Sequence, residues 1–164
     1  MEILTDSQLK QGLTDMIYNV RQINPTFYDW CVMEYQFGMR YNETKQGLRW
    51  ALQQNNTYLV ACEKGDNHRI IPVQYVPNYI QDAIANNLEL WDTCRERTVQ
   101  RLINYYFPYP PIRCGDRGVS TYLFRYNIIK MMHTDGYTDT QIQTYMGETD
   151  VKNIRGYYNA ILHY

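Results

Sequence analysis

The chain has 164 residues, 45% of them hydrophobic, and its 16 basic side chains are nearly balanced by 17 acidic ones. This length suits a single domain that buries about two-thirds of its unfolded surface. No apolar run approaches the roughly 20 residues that a membrane-spanning helix needs, and the first residues lack the pattern of a signal peptide. We therefore expect neither a membrane span nor a secretory leader.

The cysteine and histidine content argues against a metal site. The four cysteines are far apart and form no CxxC pair; they are Cys31, Cys62, Cys94 and Cys114. Three scattered histidines do not complete a set of ligands at metal-binding spacing. We expect reduced thiols in a cytoplasmic protein, and no bound metal.

Helical patterns open the chain. Residues Leu4–Asn24 begin with Thr5-Asp6-Ser7, which are good N-cap residues, and then carry apolar side chains at helical spacing. A second helix is predicted over Pro25–Phe37, and a third from about Tyr41. The first part of the chain is therefore predicted to be helical.

The next segment has the pattern of a β-hairpin. Two runs rich in β-forming residues, Thr57–Cys62 and Arg69–Val73, flank the polar turn sequence Lys64–Asn67. Glycine and short polar residues between two such runs favour a tight connection of antiparallel strands. We predict one hairpin here.

Helical patterns resume and cover most of the remaining chain. They span Asn78–Asn87, Asp92–Tyr106, Ser120 to a turn at Gly136, the stretch from there to Met146, and the segment from about Val151. A proline-rich break, Phe107–Ile112, separates the second from the third. No repeat or linker divides the chain. We predict one mainly helical domain over residues 1–164 with a small antiparallel sheet or hairpin.

Arginines cluster in the second half of the chain. The 31 residues from Arg95 to Arg125 contain Arg95, Arg97, Arg101, Arg113, Arg117 and Arg125 against only two acidic residues, Glu96 and Asp116. Such a cluster is either a phosphate-binding surface or an ordinary solvated face. A protein that binds nucleic acid usually has an overall positive charge, which this chain lacks. Both interpretations stay open.

Two segments in the first half resemble conserved boxes of the tyrosine recombinases, or phage integrases. Phe37–Glu43 reads F-G-M-R-Y-N-E and is similar to the family's T-G-hydrophobic-R-x-x-E box, with Arg40 at the arginine. Lys64–Val73 reads K-G-D-N-H-R-I-I-P-V and closely resembles the family's β-hairpin, with Lys64 at the lysine.

Two segments in the second half follow in the family's order. Tyr122–Tyr126 stands in place of the H-x-L-R-H box, with Arg125 at its arginine. Met146-Gly147-Glu148 stands in place of L-G-H, and Tyr157 follows Gly147 by the ten residues that separate that glycine from the family's nucleophile. The resemblance covers essentially the whole chain and implies the fold of the catalytic domain, without the family's N-terminal core-binding domain.

The resemblance also implies a chemistry. Tyr157 would attack a DNA phosphodiester and form a 3′-phosphotyrosine. Arg40 and Arg125 would stabilise the charge on the attacked phosphate, and Lys64 would protonate the departing 5′ oxygen. Because the energy stays in the covalent bond, no cofactor is implied. Arg95, Arg97, Arg101, Arg113 and Arg117 would contact double-stranded DNA.

Three positions depart from the family pattern. Tyr122 and Tyr126 replace histidines, and tyrosine is a poor base near neutral pH because its ordinary pKa is about 10. Glu148 replaces a histidine or tryptophan donor, and an ionised carboxylate only accepts hydrogen bonds and repels a phosphate. For catalysis, Glu148 would have to be protonated or turned away. Tyr158 also competes with Tyr157 for the register of the nucleophile.

Three functions are compatible with these residues. The first is a phage or mobile-element recombinase that cleaves and rejoins DNA in the host cytoplasm. The second is an inactive recombinase fold reused as a phage structural protein, a ring or connector subunit of the virion, since 17 tyrosines suit protein interfaces. The third is a DNA-binding accessory that does not cut. Self-association is expected in the first two.

Overall fold

A computed structural model describes residues 2–41, 57–61, 68–72, 95–109 and 111–164. In these ranges the chain is mainly helical, with two small antiparallel sheets. The helices are α1 Asp6–Val20, α2 Pro25–Phe37, α3 Glu96–Tyr106, α4 Leu123–Thr134, α5 Asp139–Met146 and α6 Val151–Tyr158. The strands are β1 Ile3–Leu4, β2 Thr57–Ala61, β3 His68–Pro72, β4 Arg113–Cys114, β5 Arg117–Gly118 and β6 Leu162–His163. No helix within these ranges is long and apolar enough to cross a membrane.

Capping residues set the ends of the first two helices. Thr5 caps α1: its hydroxyl accepts a hydrogen bond from the Gln8 backbone N–H, and the Gln8 side chain accepts one from the Thr5 N–H. Asn24 caps α2 through its side-chain oxygen, which accepts a hydrogen bond from the Phe27 backbone N–H, and Pro25 lies in the first turn. The two helices predicted from the first residues are confirmed, within a few residues at each end.

The predicted hairpin is also confirmed. Strands β2 and β3 pair antiparallel, with Thr57 opposite Pro72 and Ala61 opposite His68. The predicted turn Lys64–Asn67 lies outside the described residues. So do the helix predicted over residues 78–87 and most of the helix predicted from about Tyr41.

The later helices follow the predicted pattern with one refinement. The predicted helix 92–106 is observed as α3, and the stretch from Ser120 is a short 3-10 helix, Ser120–Tyr122, that leads into α4. Thr138 and Gln141 form a capping box at the start of α5. The break at Gly136 and the start of the last helix at Val151 are confirmed.

A second sheet brings the two ends of the chain together. Its strand order is β1-β6-β4-β5, all antiparallel, and His163 lies opposite both Ile3 and Arg113. The sequence analysis did not predict this sheet, because strands of two residues are too short to show alternation. The sheet fixes the β4–β5 hairpin beside the last helix, α6.

Helix α4 is the centre of the core. Every residue from Leu123 to Lys130 on it is buried, and α1, α2, α5 and α6 all pack against it. Trp30 of α2 meets Phe124 edge to face, with 5.9 Å between ring centroids, and stacks on Phe27. The first two turns of α4 are thus buried on all sides and hold their polar side chains in fixed positions, and Arg125 is one of them.

Gly38 ends α2 and lets the next residues approach α4. It has φ +56°, the left-handed conformation that glycine adopts without strain. A Cβ at this position would lie 3.3 Å from the Cα of Arg125 and 3.2 Å from the Met146 methyl group. The Gly38 carbonyl in turn accepts a hydrogen bond of 3.0 Å from Arg125 Nη1. Gly38 therefore determines how closely the loop after α2 packs on α4.

We predict that Gly38→Ala costs more stability than Gly115→Ala, its matched control. Gly115 is also left-handed, at φ +64°, but a Cβ there would point into open space. The control should lower the free energy of unfolding by about 1 kcal/mol from backbone strain alone, and Gly38→Ala by roughly 2–3 kcal/mol because overpacking adds to it. Urea unfolding measures both. Equal losses in the free energy of unfolding for the two variants would contradict the close approach of Gly38 to α4.

Candidate active site

Two arginines from separate parts of the chain meet in the interior. Arg40 lies two residues after Gly38 and is 6% exposed, and Arg125 lies on α4 and is 1% exposed. Guanidinium groups this deeply buried need an anion or several acceptors, because leaving an ion unpaired away from water costs several kcal/mol. The anion that they share comes from a third segment.

That anion is Glu148, in the turn between α5 and α6. Its Oε1 lies 2.5 Å from Arg40 Nη2 and 2.5 Å from Arg125 Nη2. Its Oε2 accepts a hydrogen bond of 3.2 Å from Asn153 Nδ2, in the first turns of α6. Gly147, left-handed at φ +67°, ends α5 and directs Glu148 inward. One buried carboxylate therefore connects three segments of the chain.

Glu148 is held in its charged form. Burial by itself raises the pKa of this carboxyl group, but the positive charges of Arg125 and Arg40 and the hydrogen bonds from Arg125 and Asn153 outweigh burial and lower it below the ordinary value of 4.5. The requirement that Glu148 be protonated or turned away is therefore not met. In this structure the side chain is ionised and directed at both arginines.

Tyr157 lies on α6 next to the same cluster. Its ring centroid is 5.5 Å from Arg125 Cζ, within the range of a cation–π contact, and 5.0 Å from the ring of Tyr126. Burial, with smaller effects from Cys114 and Tyr157, raises the pKa of Tyr126 to about 12. Tyr126 is therefore a neutral phenol near pH 7, and it packs against Tyr157 rather than acting as a base.

Tyr158 faces a different part of the protein. Its hydroxyl donates to the Asp139 carboxylate at 3.1 Å, and its ring stacks on His133 with 3.7 Å between centroids. Tyr158 does not line the cleft that contains Tyr157. Of these two adjacent tyrosines, the geometry therefore favours Tyr157 for the position of the nucleophile.

The cluster opens into a cleft of about 430 Å³. Its charged lining residues are Arg40, Arg117, Lys152 and Glu148. Three cations and one carboxylate give the described wall a net positive charge, which favours an anionic ligand. Tyr122 and Tyr157 add phenol groups to the same wall. Among the described residues, no group of three potential metal ligands is found.

The structure brings together most of the residues that the sequence analysis selected. Arg40, Tyr122, Glu148 and Tyr157 line this cleft, and Arg125 lies directly behind the carboxylate. Lys64 lies outside the described residues.

The predicted DNA-binding arginines are all on the surface. Arg117 lines the cleft, and Arg113 lines a neighbouring depression that shares Tyr122 and Gly118 with it. Arg95, at the start of α3, and Arg97 and Arg101, on that helix, are exposed. Arg113 and Arg117 are thus the members of this set for which cleft or rim positions are established.

Two residues in the cleft were missed by the sequence analysis. Asn153 precedes Tyr157 by four positions on α6 and so lies on the same face of that helix, and Lys152 is its neighbour. The helical spacing from Tyr157 was the signal that could have found Asn153. Lys152 has no comparable signal, because a lone exposed lysine is usually only a solvated residue.

This architecture is similar to that of a known recombinase. Among solved structures, the chain is similar to the crystal structure of XerA recombinase, with a TM-score of 0.61 and 16% sequence identity. The similarity covers 91% of this chain and 58% of that one, so this chain spans less than two-thirds of the recombinase chain. No family model and no curated protein matches the sequence. The chain therefore has a recombinase-like fold.

We predict that Glu148→Gln lowers the free energy of unfolding at neutral pH by about 3–5 kcal/mol, because it leaves two buried guanidinium groups without their anion. The pKa of Glu148 is lower in the folded state, so its stabilisation is complete above the ordinary value of 4.5 and is lost as the pH falls through the lowered folded-state pKa. The difference in the free energy of unfolding between wild type and Glu148→Gln should therefore become smaller over that acidic range. Urea unfolding at a series of pH values measures this difference.

The matched control is Asp139→Asn, which removes the carboxylate that pairs with Arg155 at the surface and accepts a hydrogen bond from the Tyr158 hydroxyl. Surface ion pairs contribute little, so the free energy of unfolding should fall much less than in Glu148→Gln. Equal losses in the free energy of unfolding for the two variants would contradict the buried bridge. So would a difference between wild type and Glu148→Gln that does not change with pH.

Proposed function

We propose that this chain is a DNA-binding protein of the tyrosine recombinase type, whose cleft takes one phosphodiester of double-stranded DNA. One observation carries the proposal: Arg40, Arg125 and Tyr157 come from three separate segments and meet at a single electropositive cleft. Two guanidinium forks next to a phenol are suited to holding a phosphate beside an oxygen nucleophile.

The reaction for which these residues are suited is strand cleavage without water or cofactor. The Tyr157 phenol loses its proton to solvent, and its oxygen attacks phosphorus while the bond to the 5′ oxygen breaks. Arg40 and Arg125 stabilise the negative charge that develops on the phosphate oxygens. Lys64, assigned by its resemblance to the family's hairpin lysine, gives a proton to the leaving 5′ oxygen. Rejoining reverses these steps, so no external energy source is required.

The surroundings of the cleft support contact with the DNA backbone. Arg117 on the β4–β5 hairpin and Lys152 at the start of α6 are both exposed and line the same cleft as Tyr157. Exposed cations at such positions contact phosphates without reading bases. Arg95, Arg97, Arg101 and Arg113 are further candidates for contacts with flanking phosphates.

The covalent step is tested with a nicked suicide duplex, in which the cleaved end diffuses away and traps the intermediate. We expect wild type to give a slowly migrating protein–DNA adduct on a denaturing gel. Tyr157→Phe should give none, because it removes the nucleophilic oxygen and leaves the ring. Tyr158→Phe is the matched control and should still form the adduct, since Tyr158 binds Asp139 outside the cleft.

Two outcomes would contradict this assignment. An adduct that survives in Tyr157→Phe and disappears in Tyr158→Phe would show that Tyr158, and not Tyr157, is the nucleophile. Absence of any adduct with folded, DNA-bound wild type and with folded, DNA-bound Glu148→Gln would rule out cleavage and leave only DNA binding.

Binding itself is tested through its salt dependence. Arg117→Ala and Lys152→Ala should each weaken affinity for duplex DNA and reduce the slope of log K against log[salt] by about one unit, because each removes one phosphate contact. Lys10→Ala, an exposed lysine of α1 that lines a different cavity, is the control and should leave the slope unchanged. Fluorescence anisotropy over a salt series gives all the values. Equal slopes for the four proteins would contradict DNA binding at this cleft.

A second function has one observation in its favour. Tyr105 and Tyr18 are 79% and 71% exposed, and Ile3, Ile23 and Ile161 are also largely exposed. Large exposed apolar and aromatic side chains suit contacts between protein subunits. A homo-oligomeric assembly subunit that binds other phage structural proteins in a virion would use such residues. Fixed stoichiometry in purified particles, together with no binding to DNA, would favour this function over the first.

A further inference from the structure

We propose that the Glu148 side chain is an internal substitute for phosphate: it occupies the anion position between Arg40 and Arg125 and must leave before a phosphodiester can bind both arginines. The cleft is therefore blocked by the protein's own carboxylate in its resting state. The identity of the displacing anion as a DNA phosphodiester rests on the proposed function, whereas the blocking contact rests on geometry alone.

The contact leaves no space for a second anion. One carboxylate oxygen lies 2.5 Å from a terminal nitrogen of each guanidinium, and Arg125 is almost completely buried behind it. A phosphate that approaches from the cleft meets the charged carboxylate before it reaches Arg125, and two like charges at this range repel strongly away from water. Binding to both arginines therefore requires that Glu148 moves.

The path by which Glu148 leaves requires no refolding. The backbone N–H of Glu148 is hydrogen-bonded to the Gln143 carbonyl at 3.0 Å, so the turn itself is fixed. The carboxylate oxygens, by contrast, bind the side chains of Arg40, Arg125 and Asn153, and Glu148 already lines the cleft. In the proposed open state, rotation about the side-chain bonds of Glu148 moves the carboxylate away from the two guanidinium groups without moving the turn.

Asn153 contacts the Glu148 carboxylate and lies on the same helix as Tyr157, the proposed nucleophile. Its amide donates to Glu148 Oε2 at 3.2 Å, and it lies one helical turn before Tyr157 on α6. When the carboxylate leaves, the Asn153 amide loses that acceptor and becomes available to a bound phosphate. Asn153 is thus a positioning residue: it holds the block closed and, when released, faces the site that opens.

The alternative is that Glu148 is a permanent structural bridge. The two cases differ in what the arginine pair does once the carboxylate charge is removed. A purely structural pair collapses or finds other protein acceptors, whereas an anion site takes up a free oxyanion of suitable geometry. Inorganic phosphate is therefore the probe, with chloride at the same ionic strength as the reference.

The experiment is thermal unfolding of wild type, Glu148→Gln and the double variant Glu148→Gln/Arg40→Gln over a phosphate series. Phosphate should raise the Tm of Glu148→Gln saturably, by roughly 3–6 °C, because a ligand that binds only the folded state stabilises it. Wild type should show no such rise, since its own carboxylate occupies the site. The double variant should lose the rise because one of the two forks is gone.

Three results would overturn the proposal: the same phosphate effect in wild type and Glu148→Gln, no saturable effect in either, or an effect that survives in the double variant. If Glu148→Gln does not fold, Asn153→Ala decides the question. That variant keeps the buried charges paired and only releases Oε2, so phosphate should raise its Tm more than that of wild type. Equal shifts in these two proteins would end the proposal.

The proposed function fails in a different way. Phosphate stabilisation specific to Glu148→Gln, with no covalent adduct in any variant, would keep the blocking role and remove strand cleavage. An adduct in wild type together with no specific phosphate effect in Glu148→Gln would keep cleavage and remove the block. If both hold, Glu148→Gln should form the adduct at least about tenfold faster than wild type, since no internal carboxylate competes with the phosphodiester.

Discussion

The interaction on which this structure depends is the bridge from Arg40 through the Glu148 carboxylate to Arg125. Two guanidinium groups away from water are costly without an anion, and the carboxylate supplies it while joining the loop after α2, the first turn of α4 and the turn between α5 and α6. The fold and the site are not separable here. The same contact that ties the helices together also fills the position where a phosphate would be held.

Several features of the fold give this bridge its geometry. The first two turns of α4 are buried on all sides, so Arg125 has little freedom, and Gly38 lets the loop that carries Arg40 pack against α4 at backbone distance. Gly147 ends α5 in the left-handed conformation and turns Glu148 inward. The four-stranded sheet places Arg117 at the cleft, and α6 presents Asn153 and Tyr157 from one face. The cleft is thus an electropositive site with a negative charge of its own at the centre.

Much of the fold could be predicted from the sequence because its signals are local. Capping residues such as Thr5 and Asn24 and the spacing of apolar residues mark the helices, and the polar turn after Thr57–Cys62 indicates the hairpin. The sheet that includes Ile3–Leu4 and Leu162–His163 could not be predicted, because its pairing is long-range and its strands are too short for a periodic pattern.

The site, like the fold, could be predicted from the sequence only in part. The resemblance to the tyrosine recombinase boxes implied that Arg40, Arg125 and Tyr157 share one site, but the position of Glu148 was not deducible. When only a phosphate was considered beside it, the negative charge of Glu148 suggested that this side chain is protonated or turned away from the site. The sequence does not show that two buried cations converge on that carboxylate and hold it ionised, and this cannot be learned without the tertiary structure.

The most direct test of the central claim is a pH titration of the Glu148 carboxyl carbon by ¹³C NMR, in wild type and in Arg40→Gln. The account predicts a midpoint below the ordinary glutamate value of 4.5 in wild type and a clear upward shift in the variant, because one of the two stabilising charges is lost. A wild-type midpoint at or above the ordinary value, unchanged by Arg40→Gln, would show that the carboxylate does not bridge the two arginines and would contradict the account.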